Sequence, residues 1–125
     1  MIRGLVLSYE ASAAIGAYLI VAFSDAANSS KVAGATSATA PLVGTTGQVG
    51  ASAAGQMVDV ERTNVPRVTL GGTVAAGDPL TSNNASKAIK ATVAGQRVIG
   101  FAEQPGVAND IINYAAAPGV LAVGA

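Results

Sequence analysis

Asp59 and Glu61 alternate along the run M-V-D-V-E-R at 57–62, with Arg67 and Asp78 close enough in the chain for a β fold to gather them. Paired carboxylates can exchange protons with a substrate or hold a hard cation. On a strand, however, Asp59 and Glu61 share a solvated face, where cross-strand ion pairing is the ordinary role of such groups. A Ser or Thr nucleophile needs a base, and with no histidine that base would have to be Lys or a carboxylate in a motif the sequence does not contain. Gly71-Gly72-Thr73 with Gly77 has a phosphate loop's glycines, but no Gly-Lys-Ser/Thr follows and no helix is expected there. Turn glycines are the reading. Lys31 and Lys87 each follow an Asn/Ser turn and open a strand, as solvated edge charges that discourage strand-to-strand aggregation. No catalytic residue, no cofactor and no metal ligand is assigned.

Composition points the same way. The 125 residues carry seven basic and seven acidic side chains with no block of like charge, which gives no footprint for nucleic acid or an anionic membrane. Cysteine and histidine are both absent, so disulfides and the usual transition-metal ligands are excluded. Half the residues are apolar, but most are Ala and Val, and the aromatics are Tyr9, Tyr18, Phe23, Phe101 and Tyr114. A core of small side chains gains less per residue, so self-association is the expected supplement. Arg3 ahead of the apolar run 13–23 has the outline of a secretory signal, interrupted by Ser8, Tyr9 and Glu10, and the run is too short to span a membrane as a helix. A soluble protein is expected.

The elements that would position these groups are short β-strands. The stretch 68–91 reads as a tight meander: runs at 68–70 and 73–75 around a Gly71-Gly72 hairpin, a turn with positive φ at Gly77, a strand after Asp78-Pro79, and a second turn at Asn83-Asn84. Residues 18–23, Y-L-I-V-A-F, are apolar on both faces and should lie centrally or at an interface. Strands also begin at Lys31 and at Leu42, whereas 45–55 reads as loose. In 57–62, Val58 and Val60 point one way, and a hairpin pairing Glu61 with Arg67 places Val68 and Leu70 on the same face. Later strands span 97–103 and 110–115. Gly100, inside a Val/Ile/Phe-rich strand, should mark a close chain crossing.

Asn28-Ser29-Ser30-Lys31 resembles Asn84-Ala85-Ser86-Lys87, and Leu42-Val43-Gly44 resembles Val98-Ile99-Gly100 at the same spacing. A duplicated β unit and a chance match of alanine-rich segments are both open. The first implies a pseudo-symmetric barrel or sandwich with the turn 63–66 between its halves. The fold class expected is therefore all-β, a small barrel or sandwich of short antiparallel strands, with one domain at 15–125 and an extended arm at 1–14.

A-Y-L-I-V-A-F-S-D, P-L-V-G-T-T-G, V-D-V-E-R, G-G-T-V-A-A-G-D-P-L-T-S, V-I-G-F-A-E and A-P-G follow one another in an order that resembles the small capsid-cement, or decoration, proteins of tailed bacteriophages. The resemblance runs from about Tyr18 to Gly119 and is most specific at 71–82 and 98–103. It implies a β-rich domain on the outer capsid surface, commonly a homotrimer, whose partners are the major capsid protein and its own copies. The N-terminal arm departs from that pattern. It is read as a capsid latch through Ile2, Arg3, Leu5, Val6, Leu7 and Tyr9, while Tyr18, Ile20, Ile99 and Phe101 are the candidates for an oligomer interface. The alternative function is a glycan- or surface-binding domain of a phage fibre or adhesin, against which the scarcity of aromatics counts.

Overall fold

The computed structural model describes residues 6–63 and 65–121. Ten strands follow in order: β1 (Val6–Ala11), β2 (Ile20–Phe23), β3 (Lys31–Gly34), β4 (Leu42–Thr46), β5 (Met57–Glu61), β6 (Arg67–Thr69), β7 (Pro79–Ser82), β8 (Ala88–Lys90), β9 (Arg97–Ala102) and β10 (Ile111–Val120). The first five close into a barrel in the order β1-β3-β2-β4-β5, and the second five form a sheet in the order β6-β10-β9-β7-β8. The protein is all-β. No helix among the described residues is long and apolar enough to cross a membrane.

The two halves are the same unit built twice. Matching β1–β5 to β6–β10 in sequence gives equivalent neighbours throughout, including the parallel closure: Ala11 pairs with Val32 in the first half, and Leu70 bridges Ala88 in the second. The antiparallel bridge Ile15–Ala51 recurs as Val74–Gly106. Loop hydrogen bonds recur as well: Ala11 N to Gln56 O becomes Leu70 N to Asp110 O, and Thr46 N to Leu19 O becomes Ala102 N to Asp78 O. So many matched pairings at corresponding positions are not a chance alanine match, and the duplicated reading of the sequence holds.

Packing explains the apolar residues on both faces of β2. Ile20 and Ala22 join a cluster with Val68, Leu70, Leu80, Ile99 and Tyr114 of the second half, whereas Val21 points into the barrel with Tyr9, Val32, Val58 and Val60. β2 is a wall shared by two cores. Hydrogen bonds cross the same seam, from Ile20 N to Ser86 O, from Thr69 N to Tyr18 O and from Arg97 N to Ala38 O. Thr45 and Tyr114, both fully buried, share a hydrogen bond of 3.0 Å between the halves, and every buried side-chain N or O among the described residues has a partner.

Several local expectations are met. Gly77 has φ +89°, and Asn83 Oδ1 accepts the amides of Ala85 and Lys87 in the turn between β7 and β8. Met57 and Asp59 face out while Val58 and Val60 are buried. Gly100 lies at a close crossing, since a Cβ there would collide with the Ala115 carbonyl; its counterpart Gly44 stands in the same relation to the Glu61 carbonyl.

Other expectations are corrected. Gly71-Gly72 makes no hairpin: Thr69 pairs with Ile111, Leu70 with Ala88 and Val74 with Gly106, and neither glycine has a positive φ. Glu61 does not pair with Arg67; Glu61 lies opposite Val6 and Thr45, and Arg67 opposite Asn113. Each strand instead closes its own half, which leaves 63–66 as the connection between the repeats. Residues 6–11 of the expected free arm are a barrel strand, paired with β5 on one side and β3 on the other. The loose stretch 45–55 is tied down by Ala51, 4% exposed in its bridge to Ile15.

Candidate functional site

A shallow hollow of about 360 Å³ opens at the seam between the repeats, lined by Tyr18, Gly47, Gln48, Glu61, Val65, Pro66 and Arg67. Glu61 ends β5, and its backbone is fixed by Val6 and Thr45; Arg67 begins β6, held by Asn113. Gln48 comes from the segment that follows β4. Tyr18 precedes β2 with its amide donated to Gly47 O at 3.1 Å and its carbonyl accepting Thr69 N at 2.8 Å. One bond reaches each repeat.

Tyr18 also has φ +54°, in the left-handed region that ordinary L-residues avoid at a cost of about 1–2 kcal/mol. Its structural counterpart in the second repeat is Gly77, for which that conformation is free. The first repeat therefore carries an aromatic ring where the fold favours glycine. Side chains of Tyr18, Gln48, Glu61 and Arg67 make no hydrogen bond or ion pair with any described residue. The hollow thus presents a phenol, an amide, a carboxylate and a guanidinium beside the apolar edge of Val65 and Pro66. Such a set can bind donors and acceptors.

Four other charged groups singled out in the sequence have local work. Asp59 accepts Ser8 Oγ at 2.8 Å, and Asp78 accepts Ala75 N at 2.9 Å while lying 3.7 Å from Lys90 Nζ. Lys31 lies 3.8 Å from Glu10, and Lys87 donates to Asn109 Oδ1 at 2.8 Å. Among the described residues no group of three or more acidic side chains could hold a metal ion.

Of the arm residues assigned from sequence, Ile2, Arg3 and Leu5 lie outside the described residues. Val6 is half-buried and Leu7 is 38% exposed on β1, whereas Tyr9 is a barrel residue, 6% exposed, whose hydroxyl accepts Arg62 Nη1 at 3.0 Å and whose ring meets Phe23 edge-on. Of the interface candidates, Ile20 and Ile99 are core, 0% and 4% exposed: the second repeat covers the face of Ile20, and Ile99 lies within the second repeat's own apolar cluster. Tyr18 is in the hollow. Phe101, 45% exposed, stands outward on β9 between Pro79 of β7 and Ala115 of β10. Ile111, 50% exposed, and Met57, 62% exposed, open the equivalent strands β10 and β5.

The sequence placed Glu61 near Arg67, which the hollow bears out though not through the ladder pairing expected; it did not join Tyr18 to them, and it missed Gln48, Val65 and Pro66 as lining. The signal that would have found the hollow is the alignment of Tyr18 with Gly77. No family model matches the chain, and no match is found among curated proteins. Among solved structures, the fold is similar to that of "head fiber gp8.5 N base in bacteriophage phi29", with a TM-score of 0.72, 16% identity, and coverage of 95% of this chain and 98% of that one. At that identity the likeness is one of fold.

Proposed function

We propose that this chain is a structural protein of a phage virion, seated on the outer surface of the head and stabilising contacts between major capsid subunits. The observation that carries the reading is the end-to-end likeness of fold to a phage head-fibre base. It agrees with the ordered motifs that resemble capsid-cement proteins, and with a neutral composition free of His and Cys. In this role the protein does no chemistry. Exposed apolar side chains such as Leu7, Phe101 and Ile111 supply burial against the shell or against further copies of the chain in a homotrimer. Residues 1–5, which precede β1 in the sequence, serve as the latch. The test is add-back: purified chain is mixed with heads from a phage lacking its gene and the heads are pelleted. Saturable co-sedimentation is expected; a chain that stays in the supernatant at every concentration overturns the reading.

A second reading, a base or binding domain of a fibre, is favoured by one specific observation, the polar hollow beside Tyr18, whose side chains have no partner among the described residues.

A further inference from the structure

We propose that the hollow at the seam of the two repeats is a binding site for a neutral saccharide, with Tyr18, Gln48, Glu61 and Arg67 as the recognising side chains. The inference does not rest on attachment to a capsid.

Three properties of the hollow select that ligand class. The first is charge: Glu61 and Arg67 line the same hollow without pairing, so an anion meets a carboxylate and a cation meets a guanidinium. A neutral polyol, whose hydroxyls both donate and accept, satisfies both groups together with the Gln48 amide. The second is shape. At about 360 Å³ the space lies at the small end of ligand clefts, and it is shallow rather than enclosed. A neighbouring hollow of about 470 Å³ shares Gln48 and continues past Ala17 and Val49 to Gln56, leaving room for further sugar units along a surface groove. The third is the mixture of faces. A pyranose has an apolar face and a polar rim, and here a phenol ring with Val65 and Pro66 lies beside the polar groups.

Tyr18 is the residue that the fold alone does not account for. Its counterpart Gly77 donates its amide to the facing strand, at Ala102 O, with less backbone strain, and nothing in the second repeat places an aromatic at that position. Two backbone hydrogen bonds, one to each repeat, hold the chain that carries the ring, so little backbone ordering remains to be done on binding. Its polar neighbours are solvated when the hollow is empty and specific when it is filled, because a ligand lacking hydroxyls would leave them dry and unpaired.

The experiment is NMR titration of the full-length, isotope-labelled chain with maltotriose, cellotriose, lactose and chitotriose, each to about 10 mM, a range that captures weak millimolar sites. At least one should shift the amides of Gly47, Gln48, Glu61 and Arg67 together. Tyr18→Gly introduces the residue the second repeat already uses and should fold; Gln48→Ala and Arg67→Gln alter side chains that have no partner among the described residues and serve as independent variants. Each is expected to weaken binding by about ten-fold, equivalent to about 1.4 kcal/mol, with Tm within a few degrees of the parent. The proposal is overturned if none of the four sugars shifts these amides, if the shifts map elsewhere, or if binding survives all three variants unchanged.

Discussion

Replacing Gly100 by alanine tests how tightly the second repeat is closed. An ideal Cβ at that position runs into the Ala115 carbonyl and comes within 2.9 Å of Tyr114 Cδ2. Neither neighbour can step aside easily: Ala115 lies opposite Phe101 in the β9–β10 ladder, and the Tyr114 ring is 1% exposed with its hydroxyl bonded to Thr45. Relief requires β9 and β10 to separate, so the cost belongs at the upper end of core overpacking, about 3 kcal/mol. For a domain of this size that lowers Tm by roughly 10 °C. Gly44→Ala should behave alike, since its Cβ meets the Glu61 carbonyl and lies 3.1 Å from Val60 Cγ1. Gly72→Ala is the control: its nearest contact is Ile89 Cγ2 at 3.7 Å, and losing a glycine from the unfolded chain adds about 0.4–1 kcal/mol where the backbone permits. Urea denaturation followed by circular dichroism measures all three. Gly100→Ala melting alongside Gly72→Ala would refute the close crossing and weaken the equivalence of Gly44 and Gly100.

Tyr114→Phe leaves the buried Thr45 hydroxyl without its partner and should cost about 1–2 kcal/mol. Burial raises the Tyr114 phenol above its ordinary value of 10.0, so the stability it contributes is fully present below pH 10. As pH rises further the unfolded chain ionises first and stability falls with a slope approaching about 1.4 kcal/mol per unit, which denaturation between pH 10 and 12 should show in the parent and lose in the Phe variant. Deleting residues 1–11 removes β1 and should abolish cooperative melting, whereas deleting 1–5 should leave the circular dichroism spectrum intact and weaken head binding. The reverse pattern would restore a free arm. Phe101→Lys should lower the mass measured by light scattering if the β9 face joins copies of the chain; an unchanged trimer would place the interface elsewhere.

Sequence patterns revealed individual strands better than their partners. Val58 and Val60 alternate cleanly, and Tyr18 to Phe23 is dense in β-forming residues, so both segments were legible. The hairpin joining Glu61 to Arg67 was locally self-consistent, but local consistency does not see that Val6 and Thr45 lie on either side of Glu61. β1 was hidden because its buried residues are Tyr9 and Ala11, while the conspicuous apolar pair Val6 and Leu7 is half-buried and exposed, respectively. Its parallel pairing with β3 is likewise non-local. The repeat was readable from two lysine turns and two glycines, yet using it fully required the bridges at Ala51 and Gly106, set in low-complexity sequence. As for the hollow, a tyrosine gives no hint of its own φ; only its alignment with Gly77 does.

Imaging decorated heads tests the central claim most directly. Heads lacking the chain, reconstructed before and after add-back, should gain density that fits the paired five-stranded units on the outer surface, touching at least two capsid subunits. Density confined to the tail, or heads unchanged by the addition, would contradict the account.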